Sequence, residues 1–360
     1  MAGRRRSSGG QRRRSSLKTS GLKSVQSPDA SPTPMAGFSP PALPPTPVEL
    51  DRALAMPAPD WSEAFGHLTV MGAEALEYLR VKPDGIYVDG TMGGGGHSRL
   101  ILSALGDKGR LIALDQDAEA RSWASQGWGR HENRLTVAAG NFGRMDEILA
   151  GLDLGGVDGI LLDLGLSSRQ LASPGRGFSW SRDETLDMRL DPQGDLTAAE
   201  VVNSYPEKEL ADVIWRYGEE RASRRLARAI VRFRSKKPLE TTGELASLVA
   251  ACLWRPGPPP RIHPATRTFM ALRIEVNREL AVLEDFLKMA PDLLKAGGRL
   301  VIISFHSLED RLVKEAFRFR DEKGRGPWVA LHKKPLTPGS EEEANNPRSR
   351  SAKLRAAEKA

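Results

Sequence analysis

Three acidic residues stand where predicted strands end, and four glycines follow soon after the first of them. Each acid closes a short apolar run: Asp89, Asp115 and Asp163. In a parallel α/β sheet the carboxyl ends of the strands meet at one edge, where cofactors bind. Residues 93–96 are all glycine, so this backbone can approach a ligand closely. These residues predict a crevice lined by acids, which suits a cation better than a pyrophosphate.

Two classes of cofactor compete for this crevice. A dinucleotide fingerprint that starts at Gly93 requires glycine or alanine at position 98, which is Ser98. From Asp89, the loop instead fits the acid-x-small-x-Gly-x-Gly pattern of S-adenosylmethionine-dependent methyltransferases. Asp115 lies where an α/β cofactor site places the carboxylate that accepts hydrogen bonds from both ribose hydroxyls. The pattern favours S-adenosylmethionine, with a nicotinamide-dependent oxidoreductase as the alternative.

Polar side chains near the same edge could act on a methyl acceptor. The fourth predicted strand ends in Asp163 and is followed by Ser167 and Ser168, and the fifth ends at His306. A carboxylate, a hydroxyl or an imidazole there could orient an amine and then accept its proton. The two serines could equally cap a helix. Phe142, after the third strand, could stack on an adenine ring or belong to the core.

Five apolar runs alternate with helical patterns and predict an α/β fold with a Rossmann-like sheet. The runs are residues 86–88, 109–115, 135–139, 157–163 and 298–306. We expect Ser98 to cap the helix after the glycines, and one long amphipathic helix to run from Phe269 to Ala290. Residues 328–332 and 351–357 could pair as a last antiparallel edge.

The alternation stops between residues 175 and 264, where helical patterns follow one another. Thr241 and Glu244 form a capping box at the start of one of these helices. The segment predicts an inserted all-helical domain, which divides the methyltransferase domain into residues 61–174 and 265–360.

Residues 1–60 differ in composition from the rest of the chain. Residues 1–48 hold eight basic residues and one acid, and ten of the 25 prolines fall between Pro28 and Pro59. This composition predicts a disordered basic arm with a Pro-rich linker. The net charge of residues 1–48 is +7, equal to that of the whole chain, so residues 49–360 sum to zero. An organellar transit peptide is the alternative, although the arm lacks an amphipathic face.

Nucleic-acid binding by the folded part therefore requires a local basic patch. Residues 216–237 carry nine basic residues against two acids. Four arginines of this segment share one helical face: Arg221, Arg225, Arg228 and Arg232. Such a stripe is either a solvated face or a contact surface for RNA phosphates.

The cysteine and histidine content excludes several classes of site. Cys252 is the sole cysteine, which excludes internal disulfides and cysteine-cluster zinc sites. The six histidines show no pair at metal-ligand spacing, so we predict no metal. No apolar run approaches the roughly 18 residues of a membrane span. We expect a cytoplasmic protein, and the sequence leaves the oligomeric state open, a homodimer included.

The chain closely resembles the bacterial ribosomal RNA small subunit methyltransferase H family from about Gly66 to its C-terminus. The resemblance rests on DGTMGGGGH (89–97), LLDLG (161–165), RGFS (176–179) with LDMR (186–189), HPATRTF (263–269), SFHSLEDR (304–311) and NPRSR (346–350). The resemblance implies these cofactor-contacting positions: Gly95, Gly96, His97, Asp115, Phe142, Asp163 and Gln170.

The resemblance also implies a reaction, the transfer of a methyl group from S-adenosylmethionine to the exocyclic N4 of a cytidine in the decoding region of 16S rRNA. The cysteine content independently favours N4 over C5, because methylation of C5 requires a cysteine thiolate near the cofactor. Cys252 lies at an apolar position of a helix in the insert, far in sequence from the crevice. The other rival is a non-catalytic assembly factor that binds rRNA without transferring a methyl group.

Overall fold

The computed structural model describes residues 69–127, 133–167, 170–171, 173–254 and 262–360. The predicted arm and linker, residues 1–60, lie outside the described residues. Within the described ranges, no helix is both long enough and apolar enough to cross a membrane.

A seven-stranded sheet organises the described part of the chain. Its strands are β1 (Ile86–Asp89), β2 (Arg110–Asp115), β3 (Leu135–Ala139), β4 (Val157–Asp163), β5 (Leu294–Ser304), β6 (Trp328–Ala330) and β7 (Lys353–Lys359). Their order across the sheet is β3-β2-β1-β4-β5-β7-β6. The first five strands are parallel, and β7 is antiparallel to both of its neighbours. The five predicted strands and the predicted antiparallel edge are confirmed.

The topology explains why the three strand-ending acids share one edge. Strand order runs outward from β1 in both directions, so β1 and β4 flank a topological switch point, where α/β folds form their ligand crevice. Asp115, Asp89 and Asp163 end β2, β1 and β4, which lie side by side in that order. The sheet therefore brings the three carboxylates to the mouth of one crevice.

Helices surround the sheet and form the insert between β4 and β5. They are α1 (Gly72–Leu79), α2 (Gly96–Ala104), α3 (Ala118–Gly127), α4 (Met145–Gly151), α5 (Ala198–Ser204), α6 (Glu207–Gly218), α7 (Ser223–Arg234), α8 (Thr242–Leu253), α9 (Ala265–Asn277), α10 (Glu279–Leu293), α11 (Ser307–Arg318) and α12 (Ser340–Asn345).

Both faces of the sheet are buried. Successive residues of a strand point to opposite faces, so Tyr87 and Leu111 belong to one core cluster while Val88 and Ile112 belong to another. All four side chains are fully buried. Burial on both faces accounts for the nearly continuous apolar sequence of these strands, because neither face meets water.

Helices α5 to α9 pack around a third core cluster. The capping box of Thr241 and Glu244 is confirmed at the start of α8, where each side chain bonds the other residue's backbone N–H. The same cluster takes in Phe269 of α9, so the packing of the insert continues beyond the predicted boundary at residue 264.

The first part of the insert departs from the prediction. Residues 173–197 contain no helix, and the first helix of the insert begins only at Ala198. Gly177 has a φ of +70°, and a Cβ there would lie 2.3 Å from the carbonyl oxygen of Thr185. Arg176 donates from one nitrogen to the carbonyl oxygens of Arg189 and Leu190. The segment is therefore held as a loop by close backbone contacts and arginine hydrogen bonds.

The single long helix predicted from Phe269 to Ala290 is wrong. Arg278 adopts a left-handed conformation, with a φ of 51°, and separates α9 from α10. Phe269 packs in the third cluster, whereas Phe286 packs against the sheet. Because the helix is interrupted at Arg278, the apolar residues of α9 pack in the third cluster and those of α10 pack against the sheet.

Candidate active site

The glycine loop joins β1 to α2 and differs from the prediction in one respect. Gly95 precedes the first turn of α2 with a φ of 76°, a conformation that favours glycine. A side chain on Gly96 would place its Cβ 2.1 Å from Oγ1 of Thr69. Ser98 was predicted to cap this helix, but the helix already begins at Gly96. The Ser98 hydroxyl instead donates to Oδ2 of Asp89 at 2.6 Å.

Asp89, which is fully buried, and Asp163, which is partly buried, form an acidic pair at the ends of neighbouring strands. Burial raises the pKa of Asp89 to about 6, despite hydrogen bonds that favour its ionised form. Burial also raises the pKa of Asp163 well above its ordinary value, and the charges of Asp89 and Glu309 raise it further. Oδ1 of Asp163 is buried and accepts no hydrogen bond from the described residues. A cation beside Asp163 would lower both pKa values.

His97 lies against this acidic pair. Its Nε2 is 2.9 Å from the carbonyl oxygen of Val70, which can only accept, so Nε2 carries a proton. Its Nδ1 lies 3.6 Å from Oδ2 of Asp163. The ring is therefore held in one orientation, with Nδ1 toward the carboxylate.

Asp115 connects the glycine loop to the end of β2. Its Oδ2 accepts the N–H of Gly93 and its Oδ1 accepts the N–H of Asp117, both at 2.8 Å. Burial raises the pKa of Asp115, and these two hydrogen bonds oppose the shift. Each carboxylate oxygen retains a further lone pair, so the group can still accept hydrogen bonds from a ligand.

One cavity at the edge of the sheet gathers most of the predicted site. Its walls include six of the seven cofactor positions implied by resemblance: Gly96, His97, Asp115, Phe142, Asp163 and Gln170. Gly95 lies within the loop but is not among the lining residues. Ser167 also lines the cavity, and Ser168 lies outside the described residues.

Ser167 and Gln170 bond each other reciprocally at the exit of β4. Ser167 N–H donates to Oε1 of Gln170 at 3.0 Å, and Gln170 N–H donates to Oγ of Ser167 at 3.2 Å. Nε2 of Gln170 lies 3.5 Å from Oδ2 of Asp117. These contacts are those of a helix-capping turn, which was the alternative role for the serine.

Phe142 occupies the position where an adenine ring could stack. It begins a short 3₁₀ helix after β3, lines the cavity and is half-buried. Its ring meets Phe286 edge to face, with the ring centroids 5.5 Å apart. The side chain thus joins the core on one side and borders the cavity on the other.

Two further carboxylates, Glu279 and Glu309, line the cavity, and no pattern in the sequence predicted them. Arg273 donates to both oxygens of Glu279 at 2.7 and 2.8 Å. Glu309 is buried, and its Oε2 accepts the N–H of Phe305 at 2.9 Å. Although burial raises the pKa of Glu309, contacts with His306, Phe305 and Arg273 lower it below its ordinary value. Glu309 lies in the SFHSLEDR block, which was the one available signal.

His306 does not line the cavity, so its predicted contact with the methyl acceptor has no support here. Its Nδ1 accepts the N–H of Glu309 at 3.4 Å, which makes His306 the N-cap residue of α11. Its Nε2 lies 3.1 Å from Oε1 of Glu309. The end of β5 reaches the expected edge, but the imidazole is used to start the next helix.

Glu279, His306 and Glu309 place potential metal-ligand atoms within 4.8 Å of one another. The sequence did not suggest this cluster, because the three residues have no metal-ligand spacing along the chain. The bidentate ion pair between Arg273 and Glu279 occupies one carboxylate, and the arginine charge disfavours a second cation nearby. The ion pairs of Arg273 with Glu279 and of His306 with Glu309 explain why these side chains lie close together without a metal.

The predicted arginine stripe lies on α7 with one exception. Arg225, Arg228 and Arg232 are exposed on this helix, whereas Arg221 precedes its first residue. Arg228 lies 3.6 Å from Glu207. The opposite face of the helix is buried in the third cluster.

A family model and several relatives indicate the same family. Residues 64–360 match the family model described as the MraW methylase family. A protein of Syntrophobacter fumaroxidans named ribosomal RNA small subunit methyltransferase H is 48% identical over 309 residues, covering 82% of this chain and 97% of that protein. Proteins of the same name from Syntrophotalea carbinolica and Acidobacterium capsulatum are each 48% identical, over 307 and 301 residues. They cover 82% and 81% of this chain, and the match spans 98% of each of them.

Proposed function

The chain belongs to the MraW methylase family and is a methyltransferase, and we propose that it transfers the methyl group of S-adenosylmethionine to the exocyclic N4 of a cytidine in the decoding region of 16S rRNA. The observation that carries this proposal is the cavity at the ends of β1, β2 and β4, where Asp163 presents a buried oxygen that has no hydrogen-bond partner among the described residues. The names of the relatives support the choice of substrate.

The residues of the cavity fit S-adenosylmethionine better than a dinucleotide. Burial raises the pKa values of Asp89, Asp115 and Asp163, so a positive charge nearby would stabilise their ionised forms. A sulfonium would supply that charge, whereas a pyrophosphate would add negative charge to it. These features argue against the nicotinamide alternative.

Asp163 is our candidate for the group that orients N4 and takes its proton. When S-adenosylmethionine is bound, it supplies a methyl carbon to the N4 lone pair, and the electron pair of the broken carbon–sulfur bond stays on sulfur. Asp163 would accept a hydrogen bond from the amine before transfer and a proton from N4 after it. Beside a neutral sulfur Asp163 would have a higher pKa than beside a sulfonium, so it would accept a proton from N4 more readily after transfer than before it.

The position of Cys252 supports attack by N4 over attack by C5. Cys252 lies on α8, is half-buried against the third core cluster, and is not among the residues that line the cavity. It is the sole thiol of the chain. The cysteine thiolate that would form the covalent adduct at C6 for C5 methylation is therefore absent from the residues that line this cavity.

Incubation with labelled S-adenosylmethionine and unmethylated small ribosomal subunits, followed by nucleoside analysis, tests the proposal. We expect labelled N4-methylcytidine. Labelled 5-methylcytidine would overturn the N4 assignment. RNA binding without any incorporation of label would support the assembly-factor alternative instead.

We expect the affinity for S-adenosylmethionine to rise with pH through the region near 6. A carboxyl group with a raised pKa is protonated in the free protein at mildly acidic pH, and a bound sulfonium favours its ionised form. Binding should therefore release protons, and the ionisation of a carboxyl group with a pKa of about 6 should make the affinity fall about tenfold between pH 7 and pH 5. Asp89, with a pKa of about 6, sets the pH region.

S-adenosylhomocysteine is the matched control for this experiment, because its sulfur is neutral. Titration calorimetry in buffers of different ionisation enthalpy would count the protons released by each ligand. We expect a flatter pH profile for the neutral ligand. Equal profiles for the two ligands would show that the acidic pair does not respond to the sulfonium charge.

The exposed arginines of α7 are our proposed RNA contact. Replacing Arg225 and Arg232 together by glutamine should weaken RNA binding and reduce its log–log salt slope by about one to two units, because each lost phosphate contact removes about 0.7. Lys288→Gln with Arg325→Gln is a control of equal charge change at exposed, ion-paired positions elsewhere. If the Arg225/Arg232 variant and the control have the same salt slope, the arginines of α7 form a solvated face and do not contact RNA.

A further inference from the structure

The charged residues of the cavity are almost all acids. Four carboxylates line it: Asp115, Asp163, Glu279 and Glu309. Arg348 is the sole lysine or arginine among the lining residues that the structure describes. It belongs to the NPRSR block, whose role the proposed reaction does not explain.

The turn that carries Arg348 is fixed to the sheet. Ser349 is fully buried, and both its hydroxyl and its N–H donate to the carbonyl oxygen of Asn346, at 2.8 and 2.9 Å. Ala352 N–H then donates to the carbonyl oxygen of Ser349 at 2.7 Å, directly before β7 begins at Lys353. Arg348 therefore projects from a short, hydrogen-bonded turn anchored at its next residue.

Arg348 also differs from two basic residues of the strand that follows it, β7. Lys353 and Arg355 both form ion pairs with Asp310, at 3.3 and 2.6 Å. Arg348 is exposed and has no ion-pair partner among the described residues. Its charge is thus available at the border of a cavity whose other charged walls are negative.

We propose that Arg348 binds the phosphate of the nucleotide whose base enters the cavity, an inference that rests on the proposed methylation of a cytidine. A base in structured RNA must leave its stack to reach such a cavity, and its phosphate then lies at the cavity mouth. There the phosphate faces four carboxylates, which repel it. A guanidinium at the mouth offsets this repulsion and matches the phosphate geometry with paired N–H donors.

The carboxylate of S-adenosylmethionine is the competing anion for Arg348. The two assignments predict different losses when the arginine is removed. A contact with the cofactor would reduce the affinity for S-adenosylhomocysteine in the absence of RNA. A contact with the acceptor nucleotide would leave that affinity unchanged.

Binding of cytidine, cytidine 5′-monophosphate and cytidine 3′-monophosphate to protein saturated with S-adenosylhomocysteine tests the proposal. We expect the wild type to bind one of the monophosphates about tenfold more tightly than cytidine, as one charge-assisted contact provides. Arg348→Gln should bind cytidine as well as the wild type does and should lose this preference. Arg350→Gln, an exposed arginine outside the cavity lining, should keep it.

Three results would overturn the phosphate contact. In the first, the wild type binds the monophosphates no better than cytidine. In the second, Arg348→Gln keeps the wild-type preference for a monophosphate over cytidine. In the third, Arg348→Gln and Arg350→Gln lose this preference to the same extent. A lower affinity of Arg348→Gln for S-adenosylhomocysteine would assign the arginine to the cofactor carboxylate and would also reject the proposal.

Steady-state methylation of small subunits separates this inference from the proposed function. Arg348→Gln should raise KM for the subunits about tenfold and change kcat less, with Arg348→Lys intermediate because it keeps the charge but not the paired donors. If the wild type methylates no cytidine, the proposed function fails. If the wild type is active and the variant has an unchanged KM, the phosphate contact alone fails.

Discussion

Asparagine in place of Asp163 is expected to lower kcat for methyl transfer by about 10²–10⁴-fold, the range for loss of a positioned general base. The substitution keeps the size of the side chain but removes its charge and its ability to take a proton from N4. The cavity offers no obvious replacement, because Glu309 is engaged by backbone N–H groups and Glu279 by Arg273. Rates should be measured at saturating S-adenosylmethionine, since the lost charge also weakens attraction to the sulfonium.

Thermal unfolding distinguishes this effect from misfolding. Because burial raises the pKa of Asp163, the ionised group destabilises the folded protein at neutral pH relative to the unfolded chain. Asp163→Asn should therefore unfold at the same Tm as the wild type or at a higher one. Ser167→Ala, which removes a hydroxyl that accepts the N–H of Gln170, should lose less than about tenfold in kcat. An Asp163→Asn enzyme with nearly full kcat would remove Asp163 from the mechanism.

The acids at the edge of the sheet could be predicted from the sequence, because each of them directly follows the apolar residues of its own strand. A strand buried on both faces reads as a continuous apolar run, and the residue that ends the run is the residue at the edge. Asp89, Asp115 and Asp163 each end a strand in the structure. Parallel pairing of neighbouring strands then suffices to bring them together.

The roles of individual polar side chains at that edge were less predictable. Ser98 was expected to cap a helix and instead donates to Asp89, whereas His306 was expected to act on the acceptor and instead caps α11. Both residues lie in the segments where the sequence pattern put them. Their partners depend on side-chain rotamers and on the first residue of each helix, which hydrophobic periodicity does not specify.

Hydrophobic periodicity could not predict that Glu279, Glu309 and Arg348 line the cavity. Glu279 reaches the cavity because α9 and α10 meet at Arg278, which has a positive φ. An arginine in the sequence does not predict a positive φ, which is uncommon for residues other than glycine. Arg348 reaches it because β7 inserts beside β5, which is a contact between distant parts of the chain. Only the sequence blocks shared with the family pointed to Glu309 and Arg348.

Alanine in place of Asp115 is expected to weaken the binding of S-adenosylhomocysteine by about tenfold to a hundredfold or more, because each charge-assisted hydrogen bond contributes about 1.5–3 kcal/mol. Two losses combine in this variant. The proposed contacts with the ribose hydroxyls disappear, and so does the acceptor for the N–H of Gly93, which fixes the glycine loop. Asp115→Asn keeps one acceptor for that N–H and should lose less.

Comparison of S-adenosylhomocysteine with its 2′-deoxy analogue separates these two losses by calorimetry. If Asp115 accepts the 2′-hydroxyl hydrogen bond, the wild type should discriminate against the deoxy ligand, and Asp115→Ala should bind the two ligands almost equally. If Asp115 acts through Gly93 alone, both ligands should weaken by the same factor and the discrimination should persist. The second result would contradict the assignment of Asp115 to the ribose while leaving its role in the glycine loop intact.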